Sequence, residues 1–451
     1  MPHENGGPEF AILVGSYTLL FFELSGKMAD VVYPGGVAIS LIDIARVLLG
    51  RKLMFGCVRS AQQRFKQGIH GGTPHKSYGS ATMLFCKHKG DSKTMDLTGI
   101  IRISNRYGAD PELVLAGGGN TSAKDDDTIY IKCSGVGLAT IDENGFVPVW
   151  RALLDKALTK DYPGDDAGRE AAFLADVMAA RTTPGETRRP SVETLLHNLF
   201  AQRYVVHLHP ALINGLTCGK SGERKLKELF GERALWIPVT RPGLTLSRVC
   251  HRVMGEHFAR SGQGARLVFL ENHGVFVAAD TEQEIAEILE QTVATLREAV
   301  NVHPDRSYAE TFAQSVMKEV GQRAGAEHLS FRSSPQILEF LRNREAASDL
   351  MLPFTPDQIV YCGAEPTYVE TADEIEPGAL RGKIILLEGI GIFALGQTGK
   401  EAETAAQLFL DAVKIAVYAR SFGGAQPMPA DLMQFIIHWE AEAYRQKEAR
   451  K

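Results

Sequence analysis

Three histidines stand where their spacing has chemical meaning. His207 and His209 flank a single leucine in the β-type run YVVHLHP. On a strand, residues two apart point to the same face, so two imidazoles there can grip one ion. Pro210 follows and ends the strand. An isolated pair of this kind reads equally well as two partly buried histidines with ordinary hydrogen bonds, and a third histidine in a suitable place weighs against that reading. His273 lies in LENHGVF, at a strand end just before Gly274. A glycine there allows a tight turn that presents the imidazole. Three neutral imidazoles with an open coordination position suit Zn²⁺, and other borderline divalent ions fit as well.

A carboxylate lies within reach of this set. Glu193 stands fourteen residues before His207, in PSVETLLHNLF, with Ser191 as an N-cap candidate after Pro190. Near a helix start such a glutamate is ordinarily a surface charge that complements the dipole. A helix-turn-strand return would bring it to the metal, where it can serve as general acid/base. His197, one turn further on, packs or orients rather than ligates. Two turns have the composition of anion cradles. In Gly117-Gly118-Gly119-Asn120-Thr121-Ser122 the glycines let backbone N–H groups approach an anion, and Asn120 and Ser122 add side-chain donors. The bland alternative is a flexible turn. Ser134-Gly135 offers a second such turn, and GVGLAT after it is a poor dinucleotide fingerprint because its third glycine is replaced.

The elements that must position these residues alternate from about residue 96 to 300. The β-type runs TIYIKC, YVVHLH, RLVFLEN and GVFVAA are separated by longer helical stretches, which predicts a layered α/β domain with helices on a sheet. RTTPGETRRP at 181–190 reads as a loop leading into a helix. Before this region, residues 1–94 show no coherent motif, and FKQGIHGGTPHKSYGS reads as loop. A regular amphipathic pattern begins at Met95 and is closed by Gly108, so Met95 is a candidate true start, with the preceding 94 residues an extension of unknown role or a gene-model artefact.

Composition narrows the function classes. The 451 residues are 44% hydrophobic and 23% charged, the balance of a globular protein with a real core. A formal net charge of -5 gives no general attraction to nucleic acid or anionic membrane, so neither is expected as a partner. The six cysteines are scattered without a CxxC pair, which reads as reduced intracellular thiols. The apolar stretch from Phe10 to Phe22 is too short to span a bilayer and has no Lys or Arg before it, so it is not a signal peptide; the expected location is the cytoplasm.

The later part of the chain contains an internal match. RLVFLENHGVFVAADTEQEI at 266–285 aligns without gaps to KIILLEGIGIFALGQTGKEA at 383–402. Each copy predicts strand, glycine turn, strand and a helix capped by Thr281 or Thr398, with Glu284 or Glu401 at the N3 position. The second copy has Ile390 where the first has His273, so it cannot repeat the metal chemistry.

GGGNTS, IKCSGVGLATI, PSVETLLH, VVHLHP and LENHG occur in that order. Taken together they resemble the class II aldolase/adducin family. The resemblance is closer to the aldolase portion of bifunctional rhamnulose-1-phosphate aldolase/alcohol dehydrogenase proteins, to which ALWIPVTRPGLTLSR at 234–248 is also similar. It covers residues 96–300, and the later copy is similar to the extension of those longer proteins. The adjacent serines common before the family's glutamate are here Ser191-Val192, and no dehydrogenase half is read after residue 451.

The resemblance implies a three-layer αβα fold with a C-terminal degenerate repeat. The expected organisation is an N-terminal extension at 1–94, a catalytic domain at 95–305 and a metal-free repeat at 306–451. It implies His207, His209 and His273 as ligands of a divalent metal, zinc first, and Glu193 as acid/base. It implies Gly119, Asn120, Ser122, Ser134, Gly135 and Ser191 as the phosphate and substrate pocket. The implied reaction is reversible cleavage of a ketose 1-phosphate to dihydroxyacetone phosphate and an aldehyde, by a homo-oligomer acting on a small phosphorylated sugar. The same scaffold runs epimerase, dehydratase or decarboxylase chemistry. Adducin-type members, which lack the metal histidines, make a non-catalytic binding or scaffold role the remaining alternative.

Overall fold

The computed structural model describes residues 95–439 and, before them, the backbone of four short strands. Strand β1 (Phe10–Val14) pairs antiparallel with β2 (Tyr17–Phe21), and β3 (Val31–Val32) with β4 (Ala38–Ile39). The loop reading of FKQGIHGGTPHKSYGS and the status of the extension lie outside the described residues. Contacts divide the chain into Met1–Gly90 and Asp91–Lys451, and all that follows concerns the second unit.

Seven strands form its principal sheet: β5 (Asn120–Lys124), β6 (Thr128–Lys132), β7 (Phe146–Trp150), β8 (Tyr204–Leu208), β9 (Leu235–Ile237), β10 (Leu267–Leu270) and β11 (Gly274–Ala279), in the order β7-β6-β5-β8-β11-β10-β9. All neighbours are antiparallel except β9 and β10. Alternation divides the side chains between two faces. Val206, Leu208, Val275 and Val277 pack on one face with Ile100 and Ile103 of the helix Thr98–Gly108 and with Ile285 and Leu289 of the helix Glu282–Ala299. Val205, Phe276 and Ala278 face the other way, against Leu196 and Phe200 and against Leu246 and Cys250 of the helix Leu244–Ser261. Helices therefore cover both faces, which is the layered α/β arrangement expected. Among the described residues no helix is long and apolar enough to cross a membrane, and four cysteines (Cys133, Cys218, Cys250, Cys362) are free and buried.

Three strands of this sheet, β5, β7 and the three-residue β9, were not anticipated. The glycine-rich turn runs straight into β5, whose five residues NTSAK are all buried, although they are too polar to read as a strand. FVPVW forms β7 despite Pro148, because β7 is the sheet edge and one of its sides needs no donors.

A second sheet has four strands, β12 (His328–Arg332), β13 (Thr367–Val369), β14 (Ile384–Leu387) and β15 (Gly391–Gly396), in the order β12-β15-β14-β13. Its pairing directions repeat those of β8-β11-β10-β9, with only β13 and β14 parallel. Glu271 N–H donates to the Ile237 carbonyl at 3.0 Å, and Glu388 N–H donates to Val369 at 3.0 Å. The helices that follow are capped alike: Thr281 accepts from Glu284 N–H at 3.2 Å, and Thr398 from Glu401 N–H at 3.1 Å.

The helix Gly399–Ala419 joins the two sheets. Its alanines share one core with Ala211 and Cys218 at the ends of the helix Ala211–Thr217. At Gly215 a Cβ would collide with Tyr418 of the long helix, so glycine is required there by close helix approach.

Candidate metal centre

Strand β8 ends at Leu208, placing His207 inside the sheet and His209 just beyond it, with Pro210 as N-cap of the next helix. His207 is fully buried, its ring stacked on Phe276 of β11 with centroids 4.1 Å apart. His273 is delivered by the turn from β10 to β11. The residue with positive φ in that turn is Asn272, at 55°, rather than the glycine. Gly274 is needed for a different reason: a Cβ there would run into the Leu208 carbonyl and the His209 ring. The glycine thus lets β11 approach β8 closely enough for the three imidazoles to meet.

Each ring offers a nitrogen, and these lie within 4.8 Å of one another. Nε2 of His209 is 2.8 Å from Nε2 of His207. The far side of two rings is fixed by hydrogen bonds. His207 Nδ1–H donates to the Val275 carbonyl at 3.0 Å, and His209 Nδ1–H donates to the Asp357 carboxylate at 2.5 Å. In the neutral form of each ring these bonds place the proton on Nδ1 and turn Nε2 toward the centre as an acceptor, the form a metal requires. Burial pushes His273 down to about 3, so this ring is neutral at physiological pH.

Glu193 completes the centre. Its Oε2 lies 3.4 Å from His207 Nε2 and its Oε1 lies 3.6 Å from His273 Nε2. The helix after Pro190 begins later than the sequence pattern indicates: it spans Thr194–Leu199, and Glu193 itself is the cap residue. Ser191 accepts from the Glu193 N–H at 3.3 Å instead of capping the helix. The carboxylate is therefore turned inward and is 6% exposed, not a surface charge. Asn120 Nδ2 donates to Oε2 at 2.6 Å, while Oε1 is buried without a hydrogen-bond partner. An orphaned carboxylate oxygen beside three converging imidazole nitrogens fits a cation site, because a buried anionic oxygen is costly unless a positive charge or donor meets it.

His197, expected to pack or orient rather than ligate, is hydrogen-bonded to Asn120 and Ser122 behind Glu193. Burial holds it well below the ordinary imidazole range, hence neutral. Since the Asn120 amide donates to Glu193, the Asn120 carbonyl oxygen accepts from His197 Nε2–H, and Nδ1 accepts from Ser122 at 2.8 Å. Ser122, His197, Asn120 and Glu193 form one directed chain. The structure thus keeps Ser122 away from the pocket expected for it.

Gly119, Asn120, Ser134, Gly135 and Ser191 do come together, around a small cavity of about 40 Å³ that also meets Glu193, His209 and His273. Two of its glycines have positive φ, Gly119 at 64° and Gly135 at 85°. Lys132, buried at the end of β6, lines the same cavity and supplies the cationic side chain that the sequence reading missed. Its signal was a lysine in the otherwise apolar run TIYIKC. A larger cavity of about 570 Å³, with Phe173, Val177 and Phe435 in its wall, adjoins at Ser191, Val192 and Trp439.

Residues 100–300 match the family model described as "Class II Aldolase and Adducin N-terminal domain". This segment belongs to the class II aldolase and adducin family. Over 403 residues the chain is 23% identical to the "Uncharacterized oxidoreductase YuxG" of Bacillus subtilis, covering 76% of this chain and 57% of that protein. The chain thus spans little more than half the length of that relative. Among solved structures, the N-terminal class II aldolase domain of a conserved protein from Thermoplasma acidophilum is 27% identical with a TM-score of 0.39, covering 45% of this chain and 93% of that one. L-fuculose-1-phosphate aldolase from Thermus thermophilus is 16% identical with a TM-score of 0.29, covering 44% and 88%.

Proposed function

We propose that residues 95–305 form a metal-dependent aldehyde lyase that cleaves a ketose 1-phosphate reversibly to dihydroxyacetone phosphate and an aldehyde. The observation that carries this reading is the convergence of the His207, His209 and His273 nitrogens beside the buried Glu193 carboxylate, whose Oε1 has no hydrogen-bond partner. The adducin-type scaffold reading provides no use for three converging imidazoles, two of them held in place through Nδ1. His207, His209 and His273 would hold the ion, zinc by its preference for imidazole. When bound, it supplies Lewis-acid withdrawal of charge from the ketone oxygen at C2.

The chain's own residues do the rest. In the cleavage direction the C4 hydroxyl loses its proton, the C3–C4 bond breaks, and its electron pair passes through C3 toward the C2 oxygen. Reprotonation at C3 completes the ketone product. One proton leaves and one returns, so a single carboxylate suffices, and Glu193 is that carboxylate. The chain through Asn120, His197 and Ser122 holds it in place. Gly119, Ser134, Gly135 and Ser191 would present donors to the phosphate, with Lys132 as its counter-charge.

Residues 306–451 are, in this reading, a metal-free repeat of the catalytic domain, supported by the matched pairing of the two sheets. The protein would work as a cytoplasmic homo-oligomer. Incubation of the zinc-loaded protein with a panel of ketose 1-phosphates tests the reaction. Release of dihydroxyacetone phosphate is expected, and Glu193→Gln should slow it by about 10²–10⁴-fold with metal retained. An epimerised phosphate without triose phosphate would assign the same site to an epimerase, and absence of bound metal would overturn the enzyme reading.

A further inference from the structure

The site draws on a residue far outside residues 100–300. Asp357 sits in the first turn of the helix Pro356–Cys362 and is 4% exposed. Its Oδ2 accepts from His209 Nδ1–H at 2.5 Å. The two imidazoles of the strand pair are thereby fixed in different ways. The partner of His207 is the Val275 backbone carbonyl, part of the same sheet. The partner of His209 is a charged side chain delivered 148 residues later in the chain.

Several contacts show that this helix is seated at the centre with little freedom. Tyr361 O–H, one turn after Asp357, accepts from Gly117 N–H at 3.0 Å, so the helix also holds the glycine turn. A Cβ on Gly118 would lie 2.6 Å from Asp357 Oδ2, so the glycine turn is shaped to admit the carboxylate. The turn that presents His273 is held from the same later segment. Asn272 Nδ2 donates to the Phe354 carbonyl at 3.2 Å and to the Gln426 carbonyl at 2.9 Å.

We propose that Asp357 is a positioning residue of the metal centre, fixing the ring orientation and Nδ1–H tautomer of His209, and that the C-terminal segment is thereby a working part of the site. A carboxylate on the far nitrogen of a ligating imidazole raises its basicity and holds its direction, and loss of such a partner lowers metal affinity by about 10–100-fold. The proposal rests on the reading of the three histidines as a metal site.

The test is zinc affinity by chelator competition on the full chain, for wild type, Asp357→Asn, Asp357→Ala, His209→Ala and the two corresponding double variants. Asp357→Asn keeps shape and an acceptor while removing the charge, and Asp357→Ala removes both. The expected result is a loss of about tenfold for Asn, and more for Ala, in the wild-type background. In the His209→Ala background the same changes should cost less than about twofold, because Asp357 acts through His209. Thermal unfolding of the metal-free variants checks that they are folded, and a fold carried by either substitution is enough for the cycle. Unchanged zinc affinity, or an equal loss in both backgrounds, overturns the role of Asp357. Wild type that binds no zinc overturns the metal reading instead, so the two failures are distinct.

Discussion

In the first sheet the turn between β10 and β11 carries Glu271, Asn272 and His273; in the second, the turn between β14 and β15 carries Glu388, Gly389 and Ile390. Both turns place a left-handed residue at the same position, with φ of 55° at Asn272 and 64° at Gly389, while two residues later Gly391 has a φ of 155° where that of Gly274 is not positive. The pairing strands show where the likeness stops. Phe276 of β11 faces His207 of β8, whereas Phe393 of β15 faces Phe331 of β12. Two residues on, His209 has Ser333 as its counterpart, and Ser333 donates to the Ile390 carbonyl at 2.9 Å. The first sheet also continues past β8 into β5, which brings Asn120 to Glu193, whereas β12 is an edge. A shared backbone is therefore permissive for a metal centre but does not make one. Under the proposed reading, ligand side chains, the flanking strand and an outer carboxylate are separate requirements, and among the described residues the second sheet lacks the histidines and the flanking strand.

Exchanging the turn residues should have the largest effect. His273→Ile gives the first sheet the residue of the second, and metal analysis should find the bound ion lost. The reverse change, Ile390→His, should leave the metal stoichiometry unaltered, because Phe331 and Ser333 provide no ligand atoms of the required kind. A second equivalent of tightly bound zinc in Ile390→His would break the comparison.

A smaller effect separates the helices that follow the two turns. Asp411 in the second helix corresponds to the exposed Ala294 in the first. Burial raises the Asp411 carboxyl from 3.8 to about 7, with Lys414 opposing the shift and Glu112 and Asp357 adding to it. The folded protein holds this proton more tightly than the unfolded chain does. Stability from this group is thus present below the unfolded value and falls as pH rises through the window from about 4 to about 7. Asp411→Asn should flatten that fall, seen as unfolding midpoints in denaturant across the window. An unchanged slope would show that another group causes it.

The helix caps should differ least. Thr281→Ala and Thr398→Ala each remove one side-chain acceptor from an N3 amide, and each should cost about 1 kcal/mol of stability. Equal losses in chemical denaturation would extend the likeness of the two units to their energetics. A loss confined to one would show that the two caps are not energetically equivalent.

Local pattern was enough to read much of this molecule. Alternation and the HxH spacing placed His207 and His209 on one face, and threonine followed at the third position by glutamate marked both helix starts. Those features depend on neighbours a few residues away, so they are written in short stretches of chain. Other features depended on partners distant in the chain. NTSAK is a strand because β6 and β8 pair with it on both sides, not because its residues favour one. Ser122 serves His197 rather than the pocket because β5 turns it toward the helix Thr194–Leu199. Lys132 enters the cavity, and Asp357 reaches His209 across 148 residues, only once the sheets and the helix Pro356–Cys362 have packed. Residue type and spacing could nominate the three histidines of the candidate centre. Which groups hold them, and at what angle, was decided by long-range packing, because hydrogen bonds between distant segments leave no local periodicity to read.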